Sequence, residues 1–104
     1  MEKSRVESLK EMLEKYPSDS FTRYALGLEF VSANMLNEAA EAFEEVLSSD
    51  PNYHAAYYQL GKVCEALGEN EKARKIYEKG IYVTTSQSEF HAREELESAL
   101  NELF

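Results

Sequence analysis

Pro17-Ser18-Asp19-Ser20-Phe21-Thr22-Arg23-Tyr24-Ala25-Leu26-Gly27 and Pro51-Asn52-Tyr53-His54-Ala55-Ala56-Tyr57-Tyr58-Gln59-Leu60-Gly61 are the stretches on which the fold turns. Set 34 residues apart, they lay Pro on Pro, Tyr24 on Tyr58 and Leu26-Gly27 on Leu60-Gly61. The same offset lays Ala39 on Ala73, Phe43 on Tyr77 and Leu47 on Ile81. These residues carry structure: a helix-stopping proline, a small residue for close packing, and aromatics for a core. A fixed period of this length is the mark of a stacked repeat.

Each period reads as two helices. Phe21 to about Ala33 carries apolar residues at 21, 24, 25, 28 and 31, spaced by three and four. Ser18 or Asp19 can cap its start, and Asn34 marks its end. Leu36 to Ser49 gathers Leu36, Ala39, Ala40, Phe43, Val46 and Leu47 on one face before Asp50-Pro51 stops it. Pro51 also suits the first position of the helix that follows. About Asn52 to Leu67, ended by Gly68 at C′, and about Asn70 to Thr84 repeat the pair. Position 85 lacks the periodic proline, so Thr84-Thr85-Ser86 ends that helix softly.

The flanks extend the scheme. Met1 to Tyr16 is expected to be a helix with Ser4 and Glu7 at capping-box spacing. Leu9 and Leu13 fall on Phe43 and Leu47, so this segment stands where the second helix of a preceding half-unit would be. About Ser88 to Leu103 is expected to bury Phe90, Leu96, Leu100 and Leu103, with Ser86 and Glu89 at capping-box spacing. It lacks the Leu-Gly pair and reads as a cap. Residues 1–104 thus form one expected domain: a half-repeat over 1–16, units over 20–53 and 54–87, and a capping helix over 88–104.

Bulk properties narrow the function. Four Gly and two Pro leave little turn chemistry for a many-stranded sheet, and 43% hydrophobic with 30% charged residues fits a folded soluble chain. A net charge of −9 disfavours nucleic acid and anionic membranes as partners. The densest basic group, Lys72, Arg74, Lys75 and Lys79, is interrupted by Glu71 and Glu78 and reads as a solvated helix face. Cys64 is the only cysteine, which precludes an internal disulfide. The start of the chain lacks a signal-peptide apolar core, and no run approaches a membrane span. A cytoplasmic protein is expected.

With these residues in register, the chain resembles the tetratricopeptide repeat family. The first unit carries Leu26, Gly27, Phe30, Ala39, Phe43 and Pro51, and departs at Arg23, where an aromatic belongs. The second carries Tyr57, Leu60, Gly61, Ala73 and Tyr77, and departs at Cys64 and Thr85. The resemblance implies an all-α fold, an α-solenoid of antiparallel helix pairs in a right-handed superhelix, here with about six helices. Gly27 and Gly61 are expected where the helices of a unit cross, faced by Ala39 and Ala73. Tyr57, Phe30, Phe43 and Tyr77 are expected between units.

The family binds peptides or helices on a concave side lined by the first helix of each unit. Carried onto this chain, the groove positions are Phe21, Tyr24, Leu28 and Val31, then Ala55, Tyr58, Gln59 and Lys62, with Glu65 at the far end. Aromatic anchors of this kind supply much of the energy of peptide recognition. The alternative is that some of them pack against the flanking helices. The Lys/Asn/Arg clamp of the chaperone-tail-binding subclass is absent, because its positions hold Tyr24, Leu28 and Gln59. An acidic chain with an apolar groove suits an apolar or mildly basic peptide.

No other chemistry competes. His54 and His91 are isolated, without Cys or His at metal-ligand spacing, and read as surface or packing residues. Cys64 reads as a buried thiol. Glu44-Glu45 and Glu94-Glu95 are adjacent on helices, so their side chains diverge onto a solvated face. No nucleophile triad, phosphate loop or H-E-x-x-H occurs. The expected function is therefore an adaptor or scaffold for a protein partner, with neither enzyme activity nor a cofactor. The rival expectation is a homo-oligomer formed through the groove or through exposed Tyr53, Tyr82, Phe90 or Phe104.

Overall fold

The computed structural model describes residues 2–104; Met1, counted above in the first helix, lies outside them. Among the described residues six helices follow one another with no strand: α1 (Arg5–Lys15), α2 (Ser20–Ser32), α3 (Leu36–Ser49), α4 (Ala55–Ala66), α5 (Asn70–Ser86) and α6 (Phe90–Leu103). Each packs mainly on its chain neighbours, and α6 also reaches back to α4. The molecule is elongated, 45 × 28 × 20 Å.

Local chemistry sets the helix ends. Ser4 Oγ accepts from the Glu7 N–H at 3.1 Å and caps α1. At α2 the cap is Asp19, not Ser18: its Oδ2 accepts from the Thr22 hydroxyl at 2.7 Å, and its Oδ1 faces the Thr22 N–H. Three helices end alike, with Asn34, Gly68 and Ser88 in the left-handed region at φ 59°, 79° and 58°. In each, the N–H after the left-handed residue reaches back five positions: Met35 to Phe30 O, Glu69 to Cys64 O, Glu89 to Thr84 O. These are Schellman closures.

Two expected boundaries move. Pro51 does not open α4; Pro51 to His54 form turns, and α4 starts at Ala55. The Pro51 carbonyl instead accepts from the Tyr57 hydroxyl at 2.7 Å. Without a proline at 85, α5 runs on through Ser86. Ser86 is therefore helical rather than a cap, and no side chain caps α6.

The repeated residues form the core. Leu26, Phe30, Ala39, Phe43, Tyr57, Leu60, Ala73 and Tyr77 are all buried, while Pro51 is exposed. The helix crossing differs from the expected one. A Cβ at Gly27 would stand 2.5 Å from Phe43 Cε1, and one at Gly61 2.1 Å from Tyr77 Cε1. Aromatic rings, not Ala39 and Ala73, thus face the glycines. Phe43 and Tyr77 fill the crossing within a unit. Ring and glycine form a knob and its socket, so the glycine is required for closeness and not for backbone freedom. Gly80 makes a further close approach, to Tyr57 Cβ and Leu96 Cδ1.

On α6, Leu96 and Ala99 are buried, but Phe90 is 53% exposed, with the Arg93 guanidinium 4.9 Å from its ring centroid. The tight turn at Ser88 leaves Phe90 at the first position of the helix, outside the packed face. On α2 the core face is Thr22, Leu26, Gly27 and Phe30, and the stripe at 21, 24, 28 and 31 lies outside it.

Gly61→Ala is expected to lower stability by ~1–3 kcal/mol through overpacking against Tyr77. Thermal unfolding followed by circular dichroism would then show a melting point lower by several degrees. Gly68→Ala meets no atom and should lose only the ~1 kcal/mol of left-handed strain. Equal melting points for Gly61→Ala and wild type would overturn the knob-and-socket account.

Candidate functional site

α2, α4 and α6 share one side of the molecule, and two depressions lie along it. The first, about 220 Å³, is lined by Tyr24 of α2, His54 at the start of α4, Ala55, Tyr58 and Gln59 of α4, and Ala92, Glu95 and Leu96 of α6. The second, about 330 Å³, lies between Tyr58 and Lys62 of α4 and His91, Glu94, Glu95, Ser98, Ala99 and Glu102 of α6. Tyr58 and Glu95 border both, so the two form one continuous groove.

The expected groove residues divide. Tyr24, Ala55, Tyr58, Gln59 and Lys62 are brought together here. Phe21, Leu28 and Val31 lie on α2 beyond these depressions; Phe21 is 69% exposed and Leu28 is also exposed, while Val31 packs partly on the core. Packing of groove residues against a flanking helix is the alternative expectation, but the α6 residues are not among the expected groove positions, because that helix lacks the Leu-Gly pair and reads as a cap. Its polar residues at 91, 94, 95, 98 and 102 have helical spacing, and that spacing is the signal that could have revealed the wall.

Tyr24 serves two surfaces. Its ring packs against Phe43, centroids 5.6 Å apart, and against Tyr53 at 5.2 Å. Burial raises its phenol pKa, with Gln59 acting in the opposite direction. Tyr53 is half-buried in this contact rather than freely exposed. Tyr58 carries the more open ring, with Lys62 Nζ 5.9 Å from its centroid. Lys62 also lies 3.8 Å from Glu65 Oε2, and that carboxylate accepts from the buried Tyr77 hydroxyl. Burial, with Glu65 beside it, pushes the Tyr77 phenol far up, so it acts as a donor at every ordinary pH.

His54 Nδ1 lies 3.1 Å from Gln87 Oε1, while Gln87 Nε2 donates to the Asn52 carbonyl at 2.8 Å. This pair ties the turn before α4 to the end of α5. Among the described residues no group of three His, Cys, Asp or Glu side chains could hold a metal ion. Cys64 is buried, and burial raises its thiol pKa, against a smaller pull from Lys72. Among the described residues no helix is long and apolar enough to cross a membrane.

Comparison with known proteins places this architecture. The family model described as tetratricopeptide repeat matches residues 30–96. A TPR repeat-containing protein of Pseudomonas aeruginosa is 30% identical over 98 residues, 94% of this chain and 93% of that one. The crystal structure of a tetratricopeptide repeat domain protein from Salinibacter ruber shares 35% identity, covering 82% of this chain and 96% of its own, at TM-score 0.78. The TPR2B domain of yeast Sti1 in its pHsp70 complex is 16% identical but superposes at TM-score 0.89 over 94% of this chain and 78% of its own. This last likeness is one of fold alone. The chain belongs to the tetratricopeptide repeat family, a class of helical-repeat protein-interaction modules.

Tyr24→Phe is expected to leave the unfolding free energy, read by denaturant titration, within ~0.5 kcal/mol of wild type, whereas Tyr24→Ala should cost ~3 kcal/mol by emptying the space beside Phe43 and Tyr53. Cys64 should resist an aromatic disulfide reagent at neutral pH and react fully once denatured. Rapid labelling of the folded chain, read by absorbance, would show the thiol to be accessible.

Proposed function

We propose that the chain is a non-catalytic adaptor that holds an extended segment of a partner protein in the groove between α2, α4 and α6. The observation that carries this reading is the convergence of Tyr24, Tyr58 and Gln59 on one open depression, walled by three helices of a fold built for interaction. Ala55 leaves room above α4, the tyrosines supply rigid anchor surface, and Gln59 offers an amide to a passing backbone. Phe21, Leu28 and Val31 extend the apolar surface along α2. The Lys/Asn/Arg clamp for a chaperone tail is missing from Tyr24, Leu28 and Gln59, so the partner of Sti1 TPR2B is not transferred to this chain. A cytoplasmic setting accords with this reading.

A second reading, self-association, is favoured by Tyr82 on α5, Phe90 on α6 and Phe104 just after it, which are 74%, 53% and 73% exposed. Light scattering at high concentration separates the two, since a mass of 11.9 kDa at all concentrations removes it.

Peptides selected on the purified chain from a random displayed library supply the direct test of the groove. Tyr58→Ala should bind them about thirtyfold more weakly, the ~2 kcal/mol of a lost aromatic anchor, with unchanged far-ultraviolet circular dichroism. Undiminished binding would move the site away from α4.

A further inference from the structure

The groove is not uniform in charge, and its asymmetry specifies the occupant more closely. The α2 side offers Tyr24, and α4 offers Ala55, Tyr58 and Gln59. The α6 side presents Glu94, Glu95 and Glu102, with Ser98 and His91 among them. Lys62 and His91 face this wall, and both are partly engaged. Lys62 lies beside Glu65 and over the Tyr58 ring, and His91 Nε2 lies 3.5 Å from Glu95 Oε1. Glu94 and Glu102 join no salt bridge among the described residues. Arg93 of α6 is engaged by Glu97 and the Phe90 ring, and Arg74 of α5 by Glu71 and Glu78.

Resting on the groove reading above, we infer that the partner segment is basic on one side: a bulky apolar residue seats between Tyr24 and Tyr58, and a lysine or arginine reaches the Glu94, Glu95 and Glu102 wall of α6. Neighbouring packed helices lie ~8–10 Å apart and an extended chain advances ~3.3 Å per residue, so anchor and cation stand about three residues apart. Glu95 borders both depressions and Glu94 and Glu102 line the second, so three carboxylates stand along one edge of the groove. The overall charge of −9 adds long-range attraction for such a segment and makes its capture salt-sensitive. Lys62 is the one full cation in the groove and works against this ligand, so Lys62→Gln strengthens binding.

The experiment is the same library selection, read for composition and repeated on two variants. Wild type should enrich peptides with Lys or Arg about three positions from an aromatic or large aliphatic residue. Their affinity, measured by fluorescence anisotropy on synthetic copies, should fall ~10-fold or more in Glu94→Lys/Glu95→Lys and rise in Lys62→Gln. Selection on the charge-reversed variant should turn to acidic peptides. Circular dichroism on each variant checks that the helices are intact. Neutral or acidic peptides enriched on wild type and lost in Tyr58→Ala would overturn the charge assignment while leaving the groove standing. Basic peptides that bind Tyr58→Ala as well as wild type, yet are lost on charge reversal, would sink the seated anchor. Binding indifferent to all three variants would remove the groove itself.

Discussion

Everything in this molecule hangs on two close approaches of helix to aromatic ring, Phe43 on Gly27 and Tyr77 on Gly61. A side chain at either glycine would hold its helix pair apart and open a gap that no neighbour fills, since packed interiors tolerate few voids. With hydrogen in that place, the rings reach the bare backbone, and α2 with α3 and α4 with α5 close into pairs. The same rings also reach the groove. Phe43 supports Tyr24 from beneath, and the Tyr77 hydroxyl holds Glu65, which in turn lies beside Lys62. The fold and the candidate site thus share their supports.

Burial, rather than charge, holds the stack. The nine salt bridges among the described residues involve side chains that are largely exposed, such as Lys3–Glu11 and Lys72–Glu44, and exposed pairs contribute at most ~1 kcal/mol each. Lys72–Glu44 and Arg23–Glu45 tie helices together, yet they lie at the rim of an apolar core that runs from Leu26 to Ala99. α1 stands apart, because it has no fully buried residue and leans on the core through Val6, Leu9 and Leu13. Few buried contacts make it the element that opens most readily.

Much of this was legible in the sequence because a repeat states its packing twice. Leu26 and Leu60, Ala39 and Ala73, Phe43 and Tyr77 recur at one spacing, and all are buried. The readings that failed concern partners in space. Ala39 and Ala73 are small and buried, but spacing could not show that rings rather than methyl groups face the glycines. Phe90 is apolar, yet it stands about 120° around the helix from Leu96, and the left-handed turn at Ser88 leaves it outside the packed face. The apolar stripe on α2 was visible, although only Tyr24 of its four expected groove residues enters the depressions shared with α4 and α6.

The sequence by itself determined the helices, their order and their pairing, because periodicity, caps and breakers act over a few residues and the repeat multiplies the signal. Tertiary structure alone decided that α6 is a wall of the groove and not only a cover. Glu94 and Glu95 look like ordinary solvated residues along the chain. They come to line the depression when the close approach of Gly80 to Tyr57 and Leu96 brings α6 beside α4, and that contact joins residues too distant in sequence for any local pattern to link.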